Sequence, residues 1–323
     1  MKAVRFSQYG GPEVLRWEEA PDPEVRSRDV LIRVEAAGVN FADLMRRQGQ
    51  YTARDALPTV LGTEAAGVVM RVGGEVEGFK PGDRVLGRAP RGCQAEFVSI
   101  PAVAVAQIPP GCTFIEAAAI PVVFLTAYHM LKTLAPLAPG ETVLIHAAAS
   151  GVGTAAVQLA KLWGARVFAT ASTDEKLALA RRLGADECVN YVKQDFLAEV
   201  LARTGNRGVD RILECVGGEV LLKSVKAAAP GGRLMIYGRA SGSLPPLDPS
   251  EFFPKNLQII GVHIGMPPWS AEQHRTALEE CLALVAARKV RPVIAATFKM
   301  SEAARAHEYL AARKTMGKVV LVP

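Results

Sequence analysis

The densest group of residues with chemical meaning in the 323-residue chain is His146-Ala-Ala-Ala-Ser-Gly-Val-Gly153. A β-like run, Thr142-Val-Leu-Ile-His146, leads into it and a helical stretch follows. A dinucleotide site needs small residues there, for a tight turn, close backbone approach to a pyrophosphate and close helix–strand packing. Ala148 and Ser150 stand where a G-x-G-x-x-G pattern has its first two glycines, and Gly153 supplies the third. The helix start at Ser150, Gly151 and Val152 offers N–H groups and a partial positive charge to a diphosphate. The alternative is a ligand-free crossover from strand to helix.

The next strand selects the cofactor. An NAD site places Asp or Glu at that strand's end to accept from the ribose 2′-hydroxyl. Here Ala169-Thr-Ala-Ser172 puts Ala171 at this place, and Lys176 follows one turn later. A missing carboxylate beside a cation suits a 2′-phosphate, so NADPH is the expected cofactor, with Ser172 touching the phosphate. Ser172-Thr-Asp-Glu175 also reads as a capping box headed by Ser172, which accounts for the two acids. A Lys176 that is merely solvated is the alternative.

Positioning these groups requires a sheet. Strands are expected at Val143–His146, Arg166–Thr170, Glu187–Asn190, Asp210–Cys215, Arg233–Tyr237 and Leu257–Val262, with helices such as Val152–Trp163, Glu175–Leu183 and Phe196–Arg203 between the first five. Such alternation predicts an α/β fold with a doubly wound, six-stranded parallel Rossmann sheet. Cys215-Val216 and Tyr237-Gly238 fall at strand ends, where dinucleotides bind. Before this region, short strands at Val30–Val34, Ala66–Met70, Arg84–Leu86 and Glu96–Ile100 suggest a β-barrel-like domain. After it come helices at Ala271–Arg288 and Ser301–Ala312, a strand near Val293–Phe298, and a strand Lys318–Val322 that must pair somewhere.

Composition narrows the classes. Half the residues are hydrophobic and 22% charged, a globular balance. The net charge of +6 lies in pairs such as Arg46-Arg47 rather than in runs, so no nucleic-acid partner is expected. Five scattered cysteines without C-x-x-C indicate neither a disulfide framework nor a structural zinc site. Thr142–Ala160 lacks Asp, Glu, Lys and Arg, but Ser150-Gly-Val-Gly153 interrupts it, so it reads as strand, turn and helix rather than a membrane span. No signal peptide is visible, and a cytoplasmic protein without membrane insertion is expected.

The chain resembles the zinc-free quinone oxidoreductases, relatives of zeta-crystallin, in the medium-chain dehydrogenase/reductase superfamily. The resemblance spans essentially the whole chain. It is carried by Ala37-Gly-Val-Asn-Phe-Ala-Asp-Leu-Met-Arg-Arg-Gln-Gly-Gln-Tyr51, Gly62-Thr-Glu-Ala-Ala-Gly-Val-Val69, Lys80-Pro-Gly-Asp-Arg-Val85, His146 to Gly153, and Gly317-Lys-Val-Val-Leu-Val-Pro323. It implies a discontinuous GroES-like catalytic domain (1–122 and 263–323) around a Rossmann NADP-binding domain (123–262). It also implies a homodimer joined through the Rossmann edge strands around Leu257–Val262. Zinc alcohol dehydrogenases of the superfamily carry Cys, His and Cys where this chain has Asn40, Thr63 and Val122, although Glu64 remains. Alcohol oxidation by Lewis-acid polarisation is therefore not expected.

Hydride transfer to an already electrophilic acceptor is the implied activity: a quinone, or alternatively a conjugated alkene such as an enone, alkenal or enoyl thioester. A cofactor-binding or RNA-binding protein without activity is the remaining alternative. Asn40 would donate to the acceptor carbonyl or hold the nicotinamide end, and Asp43 would orient Asn40 or Tyr51. Tyr51 is the candidate proton donor, because Gln48-Gly-Gln-Tyr51 is similar to the Gln-Gly-Asn-Tyr of enoyl-thioester reductases. Turn residue, helix-start acid and packed loop tyrosine are the respective alternatives. By the same resemblance Thr126 lies near the nicotinamide ribose, Tyr191 and Arg313 join Lys176 around the adenosine phosphate, and His263-Ile264 face the nicotinamide. Loops Arg46–Leu57 and Ser241–Phe253 would set acceptor choice.

Overall fold

The computed structural model describes residues 1–51, 54–266 and 269–323. It divides into two units, Met1–Leu125 with Pro267–Pro323, and Thr126–Met266. The first division falls inside a helix and the second in the turn after the last Rossmann strand, each a few residues later than expected from the sequence.

The N-terminal part of the first unit comprises β1 (Lys2–Phe6), β2 (Arg16–Glu19), β3 (Asp29–Val39), α1 (Phe41–Arg47), β4 (Thr59–Val60), β5 (Glu64–Val72), β6 (Arg84–Arg88), β7 (Phe97–Pro101), β8 (Val105–Gln107) and α2 (Phe114–Ala117), and α3 (Val123–Tyr128) is the helix that holds the division, its residues from Thr126 on belonging to the second unit. The second unit comprises β9 (Thr142–Ile145), α4 (Gly151–Leu162), β10 (Arg166–Ala171), α5 (Asp174–Arg182), β11 (Glu187–Asn190), α6 (Phe196–Arg203), β12 (Val209–Glu214), α7 (Gly218–Ala227), β13 (Ala228–Ile236), α8 (Pro249–Phe252) and β14 (Gln258–Gly261). The chain then returns to the first unit with α9 (Ala271–Ala286), β15 (Ile294–Lys299), α10 (Ala303–Ala311) and β16 (Lys318–Val322).

In the first unit β3 is central. Its order is β15-β16-β3-β5-β6-β8, with β7 also on β3. Val30, Ile32 and Val34 alternate into the core, as a two-residue period requires. The register shifts between Val34 and Ala36, after which both Ala36 and Ala37 are buried. Such a bulge re-aims the strand end. The terminal strand finds its host here, since β16 runs antiparallel to β3 and parallel to β15.

The second unit is a parallel sheet in the order β11-β10-β9-β12-β13-β14. Val143, Leu144, Ile145, Val167, Phe168, Ile212 and Leu213 are fully buried, as expected of strands covered on both faces. The strand order reverses beside β9, the switch point where such sheets bind ligands beyond their carboxyl ends. No helix among the described residues is long and apolar enough to cross a membrane.

Candidate active site

In the second unit the expected cofactor residues gather at the carboxyl ends of the strands. Ala147 takes a left-handed backbone (φ 49°) and turns the chain out of β9. The turn is thus made one residue before Ala148, which had been aligned with the first glycine. Ser150 caps α4, accepting from Gly153 N at 3.0 Å. A Cβ on Gly153 would collide with the Ala147 carbonyl, so Gly153 does serve the close packing expected of the third glycine. Gly151 and Val152 open the helix. His146 is structural: its Nδ1 and Nε2 lie 2.9 Å from Thr170 Oγ1 and Ser224 Oγ.

At the end of β10 one expectation is corrected. The cap of α5 is Thr173, not Ser172: Thr173 Oγ1 accepts from Lys176 N at 3.3 Å. Ser172 is left beside the Lys176 ammonium, 3.4 Å away. Burial lowers the Lys176 pKa from its ordinary value. Asp174 turns toward β11, accepting from Lys193 Nζ at 2.7 Å and Asn190 Nδ2 at 2.8 Å. Lys193 first, then Asn190, hold it below the usual carboxylate range. Tyr191, half exposed, donates its backbone N–H to Ala171 O at 3.2 Å and so lies at the same strand end.

Cys215-Val216 and Tyr237-Gly238 follow the paired strands β12 and β13. The buried Glu214 carboxylate accepts from Val216 N at 2.7 Å and Gly217 N at 3.0 Å, which fixes that loop. Burial pushes the Cys215 thiol up to about 12, in keeping with an inert filler. His263-Ile264 continues from β14, and His263 Nδ1 accepts from Gly265 N at 3.2 Å. Thr126 is buried within α3. Arg313 belongs to the first unit, exposed after α10 with φ 56°.

The first unit holds the acceptor-side candidates around the end of β3. Asn40 begins α1, and its backbone N–H donates to Asp43 Oδ2 at 2.8 Å. Asp43 therefore orients Asn40 through the backbone. It is fully buried, its Oδ1 meets no partner among the described residues, and burial pushes its carboxyl up to about 6. Tyr51 is partly buried with the Arg46 guanidinium 4.7 Å over its ring. Arg46 in turn binds Asp55 at 2.8 Å. Burial raises the Tyr51 hydroxyl above its ordinary value, and Arg46 opposes that shift. Thr52 and Ala53, inside the expected acceptor loop, lie outside the described residues.

Sequence reasoning missed one member of this group, Lys318. Register explains its arrival: Val319 pairs with Val39 and Val320 with Gly38, so the next step along the ladder sets Lys318 opposite Asn40. On the other side of β3, Ala37 pairs with Ala65, which sets Glu64 opposite Gly38. A Cβ on Gly38 would collide with the Glu64 carboxylate, so the glycine lets both side chains reach across the strand. Lys318 Nζ lies 2.5 Å from Glu64 Oε1 and 2.5 Å from Asn40 Oδ1. Asn40 Nδ2 donates to Glu64 Oε1 at 2.8 Å, and Val122 N donates to Glu64 Oε2 at 2.7 Å.

Comparison with known proteins agrees with this architecture. Residues 26–110 match the family model described as alcohol dehydrogenase GroES-like domain, and residues 151–285 the one described as zinc-binding dehydrogenase. A quinone oxidoreductase of Pseudomonas aeruginosa is 36% identical over 324 residues, covering 100% of this chain and 99% of that protein. The solved quinone oxidoreductase of Pseudomonas syringae superposes with a TM-score of 0.94 at 34% identity, covering 100% of this chain and 99% of that one. The Escherichia coli quinone oxidoreductase, solved with NADPH, gives 0.94 at 31% identity over 100% of both chains.

The residues in place of the zinc ligands do not fit a metal. Val122 offers a hydrocarbon, Asn40 and Thr63 are weak donors, and both Glu64 oxygens are already engaged by Lys318, Asn40 and Val122 N. An ammonium stands where a second cation would be repelled. Full-length similarity to named enzymes, together with the shared two-part fold, makes this chain an oxidoreductase of the quinone oxidoreductase family within the medium-chain dehydrogenase/reductase superfamily.

Proposed function

We propose that the protein is an NADPH-dependent reductase that passes hydride to a quinone without zinc. The observation that carries the cofactor assignment is the end of β10, where Ala171 replaces an acid and Ser172 sits beside Lys176. Bound NADPH supplies the hydride. The start of α4 at Ser150, Gly151 and Val152 suits its diphosphate, and Ser172 with Lys176 suits its 2′-phosphate. The NADPH complex of the E. coli relative supports this reading. In the first unit, Asn40 presents an amide to the acceptor oxygen, where negative charge develops as hydride arrives. The outer edge of β14 pairs with no strand among the described residues, which supports a homodimer formed along it.

Binding of the two cofactors to Lys176→Ala tests the assignment. NADPH should bind about tenfold or more weakly, as expected for one charge-assisted contact, while NADH changes little. Equal loss for both would overturn it.

A second reading, reduction of a conjugated alkene, is favoured by Tyr51. That reaction must place a proton on carbon, and the raised hydroxyl pKa keeps this tyrosine protonated. Turnover of a panel of quinones, enones and enoyl thioesters decides between them. Tyr51→Phe should depress alkene reduction by about 100-fold if Tyr51 is the acid, and quinone reduction far less.

A further inference from the structure

We propose that Lys318 is a positioning residue, and that its buried pair with Glu64 sets which end of the Asn40 amide faces the acceptor. This rests on the role given to Asn40 above. An ammonium can only donate and a carboxylate can only accept. With Lys318 on Oδ1 at 2.5 Å and Glu64 on Nδ2 at 2.8 Å, an inverted amide would set N–H against ammonium and carbonyl against carboxylate. One orientation survives. The cation on the carbonyl oxygen also draws electron density from the amide nitrogen, which makes its N–H groups better donors.

Glu64 takes one of those hydrogens at 2.8 Å, and Thr63 Oγ1 holds the other by a long bond of 3.4 Å, weak enough for a developing oxyanion to displace. Glu64 is 0% exposed and Lys318 3%, whereas Asn40 is only partly buried, so of these three the amide is the tip that reaches outward. Val122 N anchors the far carboxylate oxygen at 2.7 Å and keeps Glu64 from turning away. Replacing a buried ion pair with neutral groups is often harmless to folding. Fixing an amide that must meet a developing oxyanion gives this pair a use that packing alone does not.

The test compares Lys318→Met/Glu64→Gln, which removes both charges together, with Lys318→Arg, Asn40→Ala and the triple variant, each verified as folded by thermal melting. The chain has four asparagines, so 15N-asparagine labelling resolves the Asn40 side-chain amide without any acceptor or cofactor. In Lys318→Met/Glu64→Gln that resonance should move toward the position of a solvated amide. With NADPH and quinone, kcat should fall by up to about 100-fold, the cost of one oxyanion donor, with NADPH affinity unchanged. Adding Asn40→Ala should cost nothing more, and Lys318→Arg should recover part of the loss. An unmoved amide resonance would overturn the proposal. So would a folded double variant within about threefold of wild-type kcat, or an independent, additive loss from Asn40→Ala. A wild-type chain that passes hydride from NADPH to none of the quinones or conjugated alkenes offered would sink the assigned function instead, and the amide resonance would still decide the orientation.

Discussion

His146 and His307 are both buried, and burial lowers each to about 3, with the Arg47 guanidinium adding to the effect at His307. They should nevertheless respond oppositely to replacement. Ser224 donates to Val220 O at 2.7 Å, so its oxygen accepts from His146 Nε2–H, and Thr170 then donates to Nδ1. Neither ring nitrogen of His307 meets a protein partner among the described residues. His146→Leu should cost about 1–3 kcal/mol, whereas His307→Leu should be neutral or stabilising by about 1 kcal/mol near pH 7.5. The pH dependence follows from the same depressed values. Above 6.5 both rings are neutral in either state; as pH falls toward 3 the unfolded chain takes up the protons first, so stability is lost through that window. Removing His307 should flatten the slope by about one proton, or roughly 1.4 kcal/mol per pH unit, in denaturant titrations between pH 4.5 and 6. Asp43, raised to about 6 by burial, works in the opposite sense, because the folded chain holds its proton longer.

At the level of elements, the cap of α5 separates two neighbouring hydroxyls. Thr173→Ala should lower stability by about 1 kcal/mol, the usual value of an N-cap. Ser172→Ala should leave stability within about 0.5 kcal/mol and instead weaken NADPH relative to NADH. Melting curves and cofactor titrations of the two variants check both statements. The sequence pointed to Ser172 because Ser-Thr-Asp-Glu satisfies the capping pattern at its first residue; which hydroxyl caps depends on where the strand stops, and local pattern does not carry that. Strand positions were legible in the second unit because uninterrupted apolar runs suit a sheet covered on both faces, as at Val143-Leu-Ile145 in β9. The start of β13 was not. Pro230-Gly-Gly232 reads as a turn, yet it lies inside the strand, where the register against β12 shifts between Val209 and Arg211.

For the whole molecule, β16 lies between β15 and the central strand β3 rather than at a sheet edge. A variant lacking residues 317–323 should therefore lose the first unit's cooperative unfolding transition, although trimming a chain terminus is ordinarily mild. Calorimetry would show it, and an unchanged transition would refute the structural weight given to β16. The same strand explains why one member of the acceptor-side group was not legible while the others were. Asn40 and Asp43 announce themselves at helix-start spacing, and Glu64 stands beside Thr63. Lys318 is joined to them only by pairing across the sheet, 278 positions from Asn40, and periodicity reports nothing over that distance. That separation has a consequence in time. At roughly 5–20 residues per second, a ribosome needs about 15–60 s to make Lys318 after Asn40. Throughout that interval Glu64 is a carboxylate without its cation, so the nascent first unit must stay open and hydrated there. The second unit can close in the meantime, and the acceptor-side candidates acquire their order only once β16 has been made.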